Sequence, residues 1–338
     1  MKIPYRTRKL LQRIGVGCLI LLLIAGLVYG GWLLLADKNI YYTRDGAVMD
    51  ENLSPISPDG QLAVPPAQED PVPIYYNEGE NLISTGKELA QIVGYYIDGE
   101  QLMDMAAVKT QLQALPKGTP VMIDVKNVYG NYYYSSKVSA SRSGNIDPAA
   151  MDELLTYLDQ CGAYTIAKLP ALRDKAYGLE HDEDGVFHSS RGYLWMDDDG
   201  CYWLNPGREG TISHLTRTIN ELKGLGFDEV VLDEFRFPTT DNIYVDGDKQ
   251  ELIATAAKTL VDSCGSEYFA VSFTGSADFS LPEGRSRLYI RSSAAAEAPQ
   301  IAEATGLEDP AIRLVFLTEN HDTRFEEYSV LRPLNQAR

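Results

Sequence analysis

The sequence predicts an α/β fold, a (β/α)8 TIM-type barrel, and three observations carry that prediction. From about residue 92, short β-rich runs alternate with longer helical runs, the grammar of a parallel sheet with crossover helices. Three helix-to-strand joints share one pattern: Cys161-Gly162 before Tyr164, Gly224-Leu225-Gly226 before Asp228, and Cys264-Gly265 before Tyr268. Glycine there supplies the left-handed cap of a short αβ loop. About 247 residues follow position 91, close to the ~250 of such a barrel. A doubly wound nucleotide-binding sheet would place a Gly-rich turn after its first strand, whereas Asp98-Gly99-Glu100-Gln101 stands there.

The expected strands are Val93 to Ile97, Val121 to Lys126, Tyr164 to Leu169, Glu229 to Phe235, Tyr268 to Phe273, Arg287 to Arg291 and Ile312 to Leu317. Helical runs lie between most of them: Met105 to Leu115, Pro148 to Gln160, Ile212 to Lys223, Lys249 to Ser263 and Glu297 to Thr305. Only seven strands stand out. The eighth is either hidden in the tail after Phe325 or missing, in which case the barrel is incomplete or degenerate at its last strand.

Ahead of the barrel the charge is segregated. The 338 residues carry 30 Lys plus Arg against 48 Asp plus Glu, a net −18, which excludes a nucleic-acid-binding role because phosphate contacts need clustered cations. Residues 1–13 hold Lys2, Arg6, Arg8, Lys9 and Arg13 and no acid. Removing this +5 leaves −23 for the rest. Residues 14–35 are 22 in a row without a charge, long enough as a helix to cross a ~30 Å hydrocarbon core. Cations before that run and Asp37 after it predict a cytoplasmic N-terminus, a single-pass membrane anchor and an extracytoplasmic remainder. A cleaved signal peptide has a shorter apolar run and an A-x-A-like site; Leu34-Leu35-Ala36-Asp37 is a poorer match. Residues 36–90, with six prolines between Pro55 and Pro73, are expected to form an extended stalk. The barrel takes 91–338. Three cysteines outside the apolar run, Cys161, Cys201 and Cys264, do not make a disulfide framework, and one bridge among them stays open.

Functional groups of a barrel gather at the C-terminal ends of its strands. The first strand ends in Tyr96-Ile97-Asp98, the second in Asp124-Val125-Lys126, the third leads to Lys168, and the fourth reads Leu232-Asp233-Glu234-Phe235-Arg236-Phe237-Pro238. Period two puts Asp124 and Lys126 on one face with Met122. Such a pair is either an ion pair at the mouth or a carboxylate and an ammonium reaching for a polar substrate. Asp233 and Glu234 are adjacent, so both enter one pocket only if the strand ends between them. Glu234 and Arg236 share a face and fit a plain ion pair.

The segment GFDEVVLDEFRFP at 226–238, with VMIDVKNVYGNYYYSS at 121–136 and YWLNP at 202–206, resembles a bacterial family of glycoside-hydrolase-like proteins of uncharacterised function with an α-amylase-like barrel. The likeness runs from about Ile92 to Pro238. It implies sugar-polymer chemistry outside the cell, with the nucleophile at the end of the fourth strand, Asp233, and an acid at the end of the fifth. The fifth strand reads Ser272-Phe273-Thr274-Gly275 and has no Glu at that place, so Asp278, Glu234 and Asp124 are the alternative second carboxylates. Asn320-His321-Asp322 is similar to the amylase signature that holds the sugar at the cleavage point, and the same three residues make an ordinary polar turn. Tyr96, Lys126, Arg236, His321 and Asp322 are the expected lining.

Tyr129, Tyr132 to Tyr134 and Tyr202-Trp203 offer flat faces of the kind that pack on sugars, and equally well fill a core. Asp182 to Gly185 and Asp197 to Gly200 look like fragments of calcium loops without the full spacing, and solvated acidic turns are expected there. No metal and no cofactor is expected. Two functions compete: a membrane-anchored extracytoplasmic glycoside hydrolase acting on a cell-wall or surface polysaccharide or oligosaccharide, and a catalytically degenerate barrel that binds carbohydrate or serves as a scaffold. A second carboxylate within ~10 Å of Asp233 discriminates them.

Overall fold

The computed structural model describes residues 40–43, 46–49, 89–140, 144–190 and 192–336. The chain divides into two compact units, Met1–Asn77 and Glu78–Arg338. In the first, Ile40–Thr43 and Gly46–Met49 pair as an antiparallel hairpin, within the stretch expected to be extended stalk. The expected anchor at 14–35 and most of the stalk lie outside the described residues. Among the described residues no helix is long and apolar enough to cross a membrane.

The second unit is a closed parallel barrel. Its strands are β1 (Val93–Ile97), β2 (Val121–Asp124), β3 (Thr165–Pro170), β4 (Glu229–Asp233), β5 (Ala270–Thr274), β6 (Leu288–Arg291), β7 (Leu314–Leu317) and β8 (Ser329–Pro333), in sequential order around the ring. Helices α1 (Met105–Gln113), α2 (Pro148–Gln160), α3 (Lys175–Glu180), α4 (Glu209–Gly224), α5 (Lys249–Cys264), α6 (Ala298–Thr305) and α7 (Pro310–Arg313) connect them.

The barrel is therefore complete: of the two alternatives for the eighth strand, the one hidden in the tail after Phe325 is found, and a barrel incomplete or degenerate at its last strand is not. Strand β8 carries a weak β signal, since its residues are Ser-Val-Leu-Arg-Pro, with only two strand-forming apolar residues and a proline that cannot donate to a ladder. It is a strand because both of its edges find partners, Leu331 opposite Leu317 on β7 and Val330 to Pro333 opposite Val93 to Tyr96 on β1. The Arg332 head is satisfied by Glu326 and by the Asn320 carbonyl, each at 3.4 Å.

Period two separates two apolar layers. Tyr96, Met122, Ile166, Val231, Tyr289, Val315 and Leu331 fill the barrel interior. Ile97, Ile123, Ala167, Val230, Leu232, Val271 and Phe273 face outward and pack with Leu154, Leu158, Leu215, Ile219, Leu222 and Leu260 of the helices. Two of the joint glycines, Gly162 and Gly226, hold positive φ as expected, and Gly265 does not. Its requirement is space: a Cβ there would stand 2.6 Å from the Val261 carbonyl oxygen. Gly94 is tighter, since a Cβ would sit 2.1 Å from the Pro120 carbonyl oxygen, a backbone atom that cannot swing away. Gly94→Ala is expected to destabilise the barrel by about 2–3 kcal/mol through overpacking at the β1–β2 seam, measured by urea denaturation; an unchanged midpoint would contradict this packing.

Candidate active site

The inner face of the barrel carries polar residues at both ends and apolar ones between. On β4, Glu229 lies at the bottom, Val231 in the middle and Asp233 at the mouth; just before and along β6 the sequence is Arg287, Tyr289, Arg291. At the bottom Glu229 pairs with Arg287 and accepts hydrogen bonds from Ser272 Oγ at 2.5 Å and from the Tyr289 and Tyr164 hydroxyls at 2.9 Å. This network closes that end.

The mouth is open. Asp124 and Lys168 are directly opposed in the β2–β3 register, and their side chains meet at 2.9 Å. The same ammonium stands 3.5 Å from Asp233 on the next strand. The facing oxygens of the two carboxylates are therefore no farther apart than those two distances together. Asp233 also accepts from Thr274 Oγ1 at 2.6 Å and from the backbone N–H of Glu234 at 3.0 Å. Burial works to raise its pKa, but Lys168, Thr274 and that N–H together hold it below the ordinary carboxylate value. For Asp124 burial prevails over Lys168, and its pKa is raised. The two carboxylates on one lysine are thus shifted in opposite directions.

The strand ends between Asp233 and Glu234. Glu234 takes φ +50, the one non-glycine residue with positive φ among the described residues, a strained conformation that costs of order 1–3 kcal/mol. This turn brings both adjacent carboxylates to one cavity of about 920 Å³, lined also by Lys168, Arg236, Thr274, Asp278, Tyr289 and Arg291. Glu234 pairs with Arg236 at 2.8 Å, as the shared face predicts, with Arg173 at 3.8 Å. Asp278 lies in the loop after β5 and accepts from Ser276 Oγ.

The remaining sequence candidates are placed elsewhere. Asp124 does not line the cavity and stands behind Lys168, its second oxygen accepting the Gly99 N–H at 3.2 Å. Lys126 is not the partner of Asp124: β2 ends before it, and it is 3% exposed, paired with Asp174. Asp174 in turn lies 3.6 Å from His214, which stacks on Tyr177. Lys126 thus belongs to a buried knot beneath the loops, where Asp174 raises its pKa against the opposing effect of burial. Tyr96 forms the floor inside the barrel. Trp203 is 4% exposed and serves as a surface on which Arg236 rests, 5.0 Å from the ring centroid. His321 and Asp322 lie outside the cavity in a polar turn, where Asp322 pairs with Arg324 at 2.7 Å. Tyr132, Tyr133 and Tyr134 are core. Asp197 binds Arg173 and the Trp203 indole, and no cluster of metal-ligand type occurs among the described residues. Cys161, Cys201 and Cys264 are free thiols.

Lys168, Thr274 and Arg291 join the site without being among the site residues expected from the sequence. Thr274 and Arg291 are the last residues of their strands and Lys168 lies two before the end of β3, and an inward-facing polar residue at such a place is the signal that finds them. Lys168→Met is expected to raise the Asp233 pKa and to move the acid limb of any pH–activity profile up by about one pH unit or more. An acid limb that stays in place would remove Lys168 from this role.

Known structures share the barrel. It is similar to an exo-β-N-acetylglucosaminidase from Vibrio harveyi (TM-score 0.51, 8% identity), covering 72% of this chain and 50% of that one. An α-galactosidase from Geobacillus stearothermophilus also matches (TM-score 0.50, 12% identity), over 74% of this chain and 39% of that one. The chain thus spans half or less of either enzyme, and at these identities the likeness shows the fold alone. A hypothetical protein from Ruminiclostridium thermocellum is 19% identical over 53% of this chain and 96% of its own (TM-score 0.44). No curated protein matches the sequence. A family model described as "Putative glycosyl hydrolase domain" matches residues 94–265, just over half of the chain and the part that carries Asp124, Lys168 and Asp233, and the chain belongs to that family.

Proposed function

We propose that this protein is a membrane-anchored, extracytoplasmic glycoside hydrolase acting on a cell-wall or surface polysaccharide. The observation that carries the reading is Asp233, held below the ordinary carboxylate pKa by Lys168, Thr274 and a backbone N–H in a cavity that further carboxylates, Glu234 and Asp278 among them, also line. Glycoside hydrolysis needs one ionised carboxylate as nucleophile or base and a second group that protonates the leaving oxygen. Asp233 takes the first role. Asp278 takes the second, as the cavity carboxylate carried by the loop that leaves β5 and held in no ion pair among the described residues; Glu234 is engaged by Arg236 and Arg173, Asp124 by Lys168 outside the cavity, and Asp248 and Glu251, which also line the cavity, belong to the start of α5, where Asp248 caps the helix through the Glu251 N–H. Arg236 and Arg291 orient the sugar. Asp124 lies within ~10 Å of Asp233 through their shared Lys168, so the mouth is not bare of a second carboxylate, the condition under which the binding reading would gain.

Anchor and location rest on the sequence: the five cations of residues 1–13, the uncharged run at 14–35 and the proline-rich stretch that follows. The end of β5 supports a second reading, a carbohydrate-binding barrel without turnover, because Thr274 stands where the acid was expected. Incubating the full chain with purified cell-wall and capsular polysaccharides and measuring released reducing ends separates the two. Turnover supports the hydrolase; saturable binding with no new reducing ends supports the binding module.

A further inference from the structure

We infer that the saccharide taken by this cavity is acidic, and that Arg291 binds its carboxylate or phosphate. This rests on the proposed reading for the cavity being a saccharide site. Arg291 ends β6 on the inner face, and its guanidinium reaches over the barrel to lie 5.7 Å from the ring centroid of Tyr96 on β1. The ring supports the cation and uses none of its five N–H donors in a hydrogen bond with a carboxylate. Four cations line the cavity. Lys168 is taken up by two carboxylates and Arg236 by Glu234, whereas no carboxylate among the described residues lies within ion-pair distance of Arg291 or Lys249.

A planar fork lining the cavity with no carboxylate partner among the described residues matches the geometry of a carboxylate or phosphate. Strand β5 alone separates β4 from β6, so at ~4.8 Å per strand the backbones that carry Asp233 and Arg291 lie about 10 Å apart at the rim, and both side chains line the same cavity. The cavity holds five carboxylates, Asp233, Glu234, Asp248, Glu251 and Asp278, beside its four cations, so an acidic sugar gains most from a cation that none of them pairs.

Ligand-observed NMR titration of the full chain with glucuronate, galacturonate and glucose 6-phosphate, against glucose and galactose, tests this. The wild type is expected to bind at least one acidic sugar 10-fold or more tightly than its neutral counterpart, and Arg291→Gln to abolish that preference. The uronate and phosphate arms identify the acidic group. Arg291→Lys, which keeps the charge and loses the fork, guards against misfolding and is expected to retain part of the preference. Equal affinity for acidic and neutral sugars in the wild type, or a preference that survives in Arg291→Gln, overturns the inference. The outcome is separable from that of the hydrolase reading: Arg291-dependent acid preference without turnover of any glycan sinks only the hydrolase, and turnover of neutral glycans untouched by Arg291→Gln sinks only the acidic substrate.

Discussion

Replacing Asp233 by Asn is expected to lower kcat/KM for glycan hydrolysis by at least about a thousand-fold with the barrel intact. Asn keeps an oxygen that accepts from Thr274 and from the Glu234 N–H, at the 2.6 and 3.0 Å contacts of the native side chain. It loses the charge that attacks or stabilises the sugar, and the attraction to Lys168. The loss should fall on kcat more than on KM, since the carboxylate acts as the bond breaks. The same substitution has a pH signature. The folded-state pKa of Asp233 is depressed, so its ionised form stabilises the fold above the unfolded carboxylate value, and this contribution disappears as pH falls through the folded value. Asp233→Asn should therefore flatten the acid fall of stability relative to wild type. Wild-type activity in the variant, measured as reducing ends released, would refute the role.

The largest stability effect is expected at the other end of the barrel. Glu229 is fully buried and Arg287 is 1% exposed. Glu229→Leu leaves the Arg287 guanidinium in an apolar interior with its counter-charge gone, and takes the acceptor from Ser272, Tyr164 and Tyr289 at once. Breaking one side of a buried pair costs about 3–5 kcal/mol, which for a chain of this size lowers Tm by about 10 °C. Burial and the Glu229 charge both raise the pKa of Tyr164 and of Tyr289, so the two hydroxyls remain donors through ordinary pH. A double variant, Glu229→Leu with Arg287→Met, should recover part of the loss, because it is the orphaned charge that costs most. Circular dichroism melts of the three proteins check this; a single variant that melts within about 2 °C of wild type would show that the network is dispensable.

Much of this barrel was legible before any coordinates. The β4 segment names its own register: Glu229, Val231 and Asp233 alternate with Val230 and Leu232, so an acid at the strand end had to face the mouth. The helix-to-strand joints were equally plain at Gly162 and Gly226. What stayed illegible involves partners far away in sequence. Lys168 stood in view at the end of the third strand, but its meaning depends on sitting opposite Asp124 in one register and beside Asp233 on the next strand. Lys126, two residues past Asp124, was paired with it by period two. The strand stops at Asp124, however, and Asp174, from the loop after β3, claims the ammonium instead. The Trp203 ring looked like a sugar platform, and it became the support of Arg236 because two loops close over it.

By itself the sequence determined the alternation of strands and helices, the inward face of each strand and the acids at the strand ends, because hydrophobic period and turn chemistry act over a few residues. Only the tertiary structure decided that Ser329–Pro333 closes the ring, that the left-handed turn at Glu234 brings two neighbouring carboxylates to one cavity, and that Lys168 holds Asp233 ionised while Arg291 is left unpaired. Those outcomes depend on which strand lies beside which. Pairing of that kind is settled by burying all eight strands together and leaves little trace in any short stretch of the chain.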